Sequence, residues 1–342
     1  MNDPRPMVHV SIVAWNSMSH IPTCLDAVIR QTYPKTMVTV VDNASLDRVM
    51  EWLREHTPQI HLIRNTRNVG FARGHNQAMR VSTAPYLLVL NPDVVLEPHW
   101  IERAVAAMEA DPKVAAIGGR LIRFEYSSDD LKEVVPSGII DSTGLVISRS
   151  RHVRDRGAGE RDTGQYQDQE NVFGLSGACV MYRRAALDEV KEGEQYFDED
   201  FFAYKEDVDL SWRLLRRGWL NRYEPSLIAY HHRHARSSER TSNRALAQSH
   251  QARNIRISRL SYRNHWWLLI KNERPVTLFR DLPWIAWYEL KKFMYLMVTA
   301  FPALRGGFSA LSYHSRMRRK AHLIDQNARM TPSELRRLYF LH

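Results

Sequence analysis

From Val8 to Gly118, short apolar runs rich in β-formers alternate with segments of helical period, and no other feature of the chain limits its fold as strongly. Val8–Ala14, Val38–Val41, Ile60–Ile63, Tyr86–Leu90 and Val114–Gly118 read as strands. Ile21–Arg30, Leu46–His56, Gly74–Val81 and Trp100–Ala110 read as helices between them. Strands separated by helices imply an α/β chain with a mostly parallel sheet and crossover helices on its faces. Tyr86–Leu90 is a continuous apolar run, as expected of a strand buried on both sides. No internal repeat is present. Ser148–Glu170, rich in Arg, Asp, Gly and Gln without apolar periodicity, reads as a mobile loop.

In an open α/β sheet, ligands bind beyond the carboxyl ends of the strands. Trp15-Asn16-Ser17, Asp42-Asn43-Ala44-Ser45 and Asn91-Pro92-Asp93 each follow a predicted strand, so all three sets should converge on one rim. Asp42 sits where an apolar run would bury it; its carboxylate suits the imino proton of a uracil or thymine ring. Helix capping is the alternative role there, and Ser45 is better placed for it. Asp93 is a hard oxygen ligand at a strand end, suited to Mg2+ or Mn2+ bridging a diphosphate, although Asn-Pro-Asp is also ordinary turn chemistry. Asn68–Ala78 leads from a strand into a helix, with glycines that allow close backbone approach and with Arg73 able to pair with phosphate. Neither a dinucleotide-binding glycine fingerprint nor a Walker loop occurs, which argues against dehydrogenases and P-loop NTPases. Glu206, Asp207 and Asp209 open an apolar-periodic helix. A helix N-terminus favours acidic residues by itself, but three carboxylates beside aromatics suggest that one is a general base. The tract His231-His232-Arg233-His234 offers a metal ligand or a solvated tether.

Charge divides the chain unevenly. His231 to His342 carry 21 Lys and Arg against 6 Asp and Glu, a net +15; Met1 to Tyr230 carry 27 against 32, a net −5. Within the basic third, Asn264–Lys271 and Leu282–Leu304 mix Trp, Tyr and Phe with aliphatics. Neither has the roughly 18 uncharged apolar residues of a spanning helix. Such a composition suits a helix lying in the interface of an anionic membrane, with a buried cap on the catalytic domain as the alternative. No nucleic-acid-binding signature accompanies the charge, so no nucleic-acid partner is expected. Two cysteines in no metal spacing and a start without a signal-type apolar run suggest a cytoplasmic protein at the inner face of the membrane.

The segments VSIVAWNS, VTVVDNAS, NVGFARGHNQAM, YLLVLNPDVVLEP, FGLSGACVMYRRAAL and FFAYKEDVDLSWRLLRRGW, in this order from Val8 to Ser238, resemble the family 2 glycosyltransferases, especially their bacterial rhamnosyltransferase-like branch. The resemblance implies a Rossmann-like GT-A catalytic domain over 1–238. Its nucleotide-sugar half would span about 1–120 and its acceptor half about 121–238. A basic amphipathic helical extension over 239–342, containing Arg263-Asn264 and Lys271-Asn272, would follow. It implies a donor site of Asn16, Asp42, Arg73, Asn76, Asn91 and Asp93. A divalent metal would be held by Asp93, the one carboxylate left in the family's Asp-x-Asp position, together with His231 or His232. Asp207, paired with Glu206, would be the catalytic base, and Gly177, Ala178 and Asp209 would border the acceptor. The expected reaction is inverting transfer of a sugar, from dTDP-L-rhamnose or another nucleotide sugar such as UDP-galactofuranose, UDP-GlcNAc or GDP-mannose. The acceptor would be a glycan or a polyprenyl-linked sugar. A non-catalytic sugar-nucleotide-binding scaffold at the membrane is the alternative, against which the intact Asp93 and Asp207 speak.

Overall fold

The computed structural model describes residues 3–127, 133–232 and 244–341. The first half alternates as its apolar pattern dictates: β1 (Val8–Ala14), α1 (Ile21–Ile29), β2 (Thr36–Asp42), α2 (Val49–His56), β3 (His61–Arg64), α3 (Phe71–Arg80) and β4 (Tyr86–Leu90). Then come β5 (Val94–Leu96), α4 (Trp100–Ala110), β6 (Val114–Tyr126), β7 (Val134–Ser142), β8 (Leu145–Ser148), β9 (Val153–Asp155), β10 (Glu170–Val172) and β11 (Cys179–Arg183). Helices α5 (Arg184–Val190) and α6 (Glu206–Arg216) precede β12 (Leu220–His231). The C-terminal part is helical: α7 (Arg244–Asn272), α8 (Pro275–Thr299), α9 (Arg305–Ser312), α10 (His314–Gln326) and α11 (Pro332–Tyr339), closed by β13 (Phe340–Leu341).

The main sheet runs β10-β12-β6-β11-β4-β1-β2-β3, with β5 on β12 and β7 on β6. Pairs β1–β2, β2–β3, β1–β4 and β6–β12 are parallel, while β11 is antiparallel to both neighbours. Strand order reverses at β1, from which the chain builds outward to β2 and β3 and then crosses back to β4. A crevice opens at such a point beyond the carboxyl ends of β1, β2 and β4. All five β4 residues are buried between two core clusters, as its unbroken apolar run requires.

Three expectations about local structure are corrected. Helix α2 starts at Val49 rather than Leu46, and Ser45 does not cap it. Its hydroxyl instead accepts the Asn16 N–H, at 2.9 Å. Ser148–Glu170 is not a formless loop: it supplies β9, and Arg151 within it is fully buried against Glu273 and Asp281. Strand β6 also outruns its expected end at Gly118. It continues through Gly119, where a Cβ would lie 1.8 Å from the Leu227 carbonyl of β12, so only glycine lets the two strands close.

The C-terminal helices share a core with the catalytic part. Trp267 and Leu268 of α7 pack with Phe201, Val208 and Trp212, and β13 pairs in parallel with β8. The segment Asn264–Lys271 is therefore largely interior, not a lipid-facing surface, because Phe201 before α6 and residues of α8, α9 and α10 cover its aromatics. Helix α8 differs: Phe279, Trp287 and Val298 are 71%, 60% and 85% exposed. The expected domain boundary at 238/239 and the Arg233-His234 part of the histidine tract lie outside the described residues.

Candidate active site

The three strand-end sets do meet on one rim. Asn16, in a left-handed turn after β1 (φ 51°), accepts the Leu46 N–H through Oδ1 at 2.8 Å, tying the loop after β1 to the loop after β2. Asp42 ends β2 fully buried. Its Oδ1 accepts the Ser45 N–H at 3.0 Å; Oδ2 has no hydrogen-bond partner and lies 3.8 Å from the guanidinium of Arg64. A buried acceptor without a donor costs about 1–3 kcal/mol, so Asp42 is poised to receive a ligand N–H.

Beyond β4, the Asn91 N–H donates to the Ala178 carbonyl at 2.8 Å, and the Asp93 carbonyl accepts the His232 N–H at 2.9 Å. This second bond brings the end of β12 alongside Asp93. The two histidines then diverge. His231 Nε2 lies 3.4 Å from Asp93 Oδ1, a buried oxygen that no hydrogen bond satisfies. His231 Nδ1 pairs with Asp141 of β7 at 2.8 Å. The His232 ring instead stacks with Tyr126 at 5.0 Å and packs near His20. Burial opposes charge on His231, yet the hydrogen bond to Asp141 and the neighbouring Asp93 carboxylate outweigh that and push its pKa up to about 9. An imidazole bonded through Nδ1 to a carboxylate presents Nε2 as a metal ligand. Asp93 Oδ1 and His231 Nε2 thus form an oxygen and nitrogen donor pair that fits a divalent cation in place of the proton. Asp141 carries no motif of its own; only the pairing of β6 with both β7 and β12 reveals it.

A different acidic group, Glu192, Asp198 and Asp209, also brings its carboxylates within 4.8 Å of one another. The fully buried ammonium of Lys271 already stands at 2.5, 2.7 and 2.9 Å from them, where a cation would otherwise sit. Arg213 and Asn272 complete the shell of Asp209. Asp209 is therefore no acceptor contact, since both its oxygens are consumed in joining α6 to α7. Asn76 is corrected likewise: fully buried, its amide is spent on the backbone of Phe197 and on Glu199. Arg73 stays half-exposed with Glu199 as its ion-pair partner at 3.7 Å. Ala178 packs into the core and meets the site through its carbonyl alone.

Asp207 and Gly177 are brought together. The Gly177 N–H donates to Asp207 Oδ2 at 3.0 Å, and the Val208 N–H to Oδ1 at 2.8 Å. Burial raises the Asp207 pKa above the ordinary aspartate value, while these two amides restrain the rise. Glu206 is more deeply buried, with Oε2 unpartnered; burial first, and then the charge of Asp207, hold its pKa well above the usual range. Like charges disfavour each other's ionised form, and of the two the upward shift is larger on Glu206, while Asp207 is the less deeply buried.

The turn that carries this pair is strained. Phe202, Tyr204 and Lys205 all have positive φ (67°, 73° and 72°), a cost of about 1–3 kcal/mol each. Two elements hold it. Gly70 (φ 89°) admits it, since a Cβ there would stand 2.4 Å from the Phe202 carbonyl, and the Ala72 N–H donates to that same oxygen at 3.2 Å. From α7, the buried Asn264 amide nitrogen lies 2.9, 2.9 and 2.8 Å from the carbonyls of Phe201, Ala203 and Tyr204. Composition and spacing do not reveal this clamp, because nothing in the sequence says that α7 folds back onto the turn. Asn264→Ala is expected to lower kcat about ten- to a hundredfold through misplacement of Asp207, with little change in donor affinity. An unchanged kcat in a folded variant would reduce Asn264 to a packing residue.

A mostly parallel sheet with carboxylates beyond its strand ends at the reversal point, and an acidic pair opening a following helix, has the GT-A arrangement. The chain belongs to glycosyl transferase family 2, whose profile matches residues 9–191, more than half of its length. It is 26% identical over 278 residues to the N-acetylglucosaminyl-diphospho-decaprenol L-rhamnosyltransferase of Mycobacterium tuberculosis, covering 78% of this chain and 87% of that one. It is 27% identical to an N-acetylglucosaminyltransferase of Mesorhizobium japonicum over 66% of this chain and 51% of the relative. Among solved structures, the mannosyltransferase PcManGT from Pyrobaculum calidifontis in complex with GDP-Man and Mn2+ superposes with a TM-score of 0.51 at 18% identity. That match covers 94% of this chain and 86% of the other. GalNAc-T7 with UDP, GalNAc and Mn2+ superposes with a TM-score of 0.53 at 14% identity, over 68% of this chain and 45% of that one.

Proposed function

We propose that the chain transfers L-rhamnose from dTDP-L-rhamnose, with inversion, to a hydroxyl of a lipid-linked or glycan acceptor at an anionic membrane surface. The observation that carries the transferase chemistry is the pair of unsatisfied carboxylate oxygens, Asp42 Oδ2 and Asp93 Oδ1, on a rim that also holds His231. Asp42 receives the imino N–H of the pyrimidine, while Asn16 shapes the loop beside it. Asp93 and His231 would hold Mg2+ or Mn2+, and Asp141 fixes the ring of His231. A cation held by these residues would supply neutralisation of the charge on the departing diphosphate. Asp207 accepts the proton of the acceptor hydroxyl as that oxygen bonds to the anomeric carbon and the bond to the nucleoside diphosphate breaks. Gly177 keeps the carboxylate aimed, through its N–H to Asp207 Oδ2.

The rhamnosyl choice is supported by the Mycobacterium tuberculosis relative, whose name also supplies the class of acceptor. Membrane contact is supported by the exposed aromatic face of α8 and the +15 tail. Among the described residues, no helix is long and apolar enough to cross a membrane, so the attachment proposed is peripheral. A ligand that binds only the native state raises its melting temperature, by about 2.7 kcal/mol of stabilisation at a hundred times Kd. In a panel of sugar nucleotides with Mn2+, dTDP-L-rhamnose should give the largest shift. Stabilisation by UDP-sugars with none from thymidine diphosphate compounds would move the donor assignment elsewhere in the family.

A further inference from the structure

Outside the site described so far lies an unassigned groove where the 148–154 segment meets α8. It is a cavity of about 430 Å3 lined by Arg149, His152 and Arg154, the hydroxyls of Ser148 and Ser150, and Trp284. That volume falls within the range of small-molecule sites, about 300–1,000 Å3. Among the described residues, no carboxylate lines it. The Arg149 guanidinium stacks 3.6 Å over the Trp284 ring and pairs with Asp281 at 3.0 Å. Asp281 is shared with Arg151 and Arg336, and Glu273 takes a further bond from Arg151, so three guanidiniums face two carboxylates. Arg154 is exposed and has no ion pair among the described residues. The groove therefore carries uncompensated positive charge.

Its two ends open onto different surroundings. On one side, Trp284 begins the exposed stripe of α8 that continues through Trp287, Leu290 and Met294. On the other, His152 stacks on Tyr288 at 5.1 Å, with Lys292 5.6 Å from the same ring. Burial first, and then the nearby charges of Lys205, Arg154 and Lys292, hold the His152 imidazole below its ordinary pKa, which places it among cations. Lys205 directly precedes Glu206 and Asp207. Lys205, Arg154 and Lys292 thus cluster about His152, with Glu289, 3.7 Å from Lys292, as the carboxylate among them.

We infer that this groove binds the phosphate groups of a lipid-linked acceptor, whose sugar reaches Asp207 and whose hydrocarbon chain lies along α8. The inference rests on the transferase function proposed above and names where its acceptor sits. Charge complementarity selects the occupant: a diphosphate brings two or more negative charges to a cluster that lacks them, and planar guanidiniums bind phosphate oxygens in pairs. The adjoining stripe suits one long apolar chain.

Farnesyl diphosphate, a short water-soluble probe, can be titrated into the full-length protein while tryptophan emission is followed, with Trp284→Phe identifying the reporting ring. It should bind wild type, and Arg154→Glu should weaken it at least about tenfold, as expected for loss of a charge-assisted contact. Farnesol and inorganic pyrophosphate should each bind more weakly than the joined molecule. Stabilisation by dTDP-L-rhamnose with Mn2+ should be unchanged in Arg154→Glu, which also checks that the variant is folded. Equal farnesyl diphosphate affinity in wild type and Arg154→Glu would overturn the assignment. So would a variant that loses only its binding to phosphatidylglycerol vesicles, since the groove would then hold a phospholipid headgroup. Failure of every sugar nucleotide to stabilise wild type, with farnesyl diphosphate still bound at Arg154, would instead count against the transferase function.

Discussion

Asp207→Asn should lower kcat by about two to four orders of magnitude, the range expected for loss of a general base, while donor affinity stays nearly constant. The amide keeps the size of the carboxylate but cannot take a proton from the acceptor. Wild-type kcat should itself fall with acid as Asp207 protonates. Because burial raises its pKa, that limb should lie above the ordinary aspartate value of about 3.9. The sign follows from the role: the base works ionised, so activity is present above the raised pKa and lost below it. Steady-state kinetics from about pH 4 to 8 would show both effects. Near wild-type turnover in Asp207→Asn would exclude it as the base and move the role to Glu206.

Asp93→Ala should weaken metal-dependent donor binding about ten- to a hundredfold or more, and excess EDTA should abolish transfer by wild type. His231→Ala should act in the same direction. Asp141→Asn should cost about tenfold in metal affinity, since a residue that only orients a ligand typically contributes 10–100-fold. Calorimetric titration of dTDP with and without Mn2+ separates these effects from folding. Full activity in EDTA would leave Asp93 a turn residue and His231 a buried ion pair with Asp141.

The parallel half of the fold was legible because its strands are short apolar runs with polar residues directly after them. β1, β4 and α4 begin and end where the pattern puts them. Asp42 and Asp93 stood out as carboxylates directly after apolar runs, and Asp207 as one of three carboxylates opening a helix beside aromatics. Asp209 belongs to the same acidic group as Asp207 but serves packing, and sequence alone does not separate a carboxylate open to a ligand from one already claimed by Lys271. What decides between them is the partner, and Lys271 lies 62 residues downstream of Asp209. Asp141 and Asn264 were hidden for the converse reason: neither falls beside a strand-end motif, and each acquires its role only through long-range pairing. The aromatic C-terminal segments divided between the two expectations, since Trp267 is core whereas Trp287 faces outward.

The transfer chemistry itself is reached most directly by the stereochemistry of the product. Wild-type protein, dTDP-L-rhamnose, Mn2+ and a short prenyl-diphosphate-linked N-acetylglucosamine acceptor would be incubated, and the new linkage read by proton and carbon NMR. One nucleoside diphosphate should be released per sugar transferred, with the anomeric configuration opposite to that of the donor, as a single displacement assisted by Asp207 requires. A product that retains the donor configuration would contradict that chemistry, as would donor hydrolysed with no acceptor glycosylated.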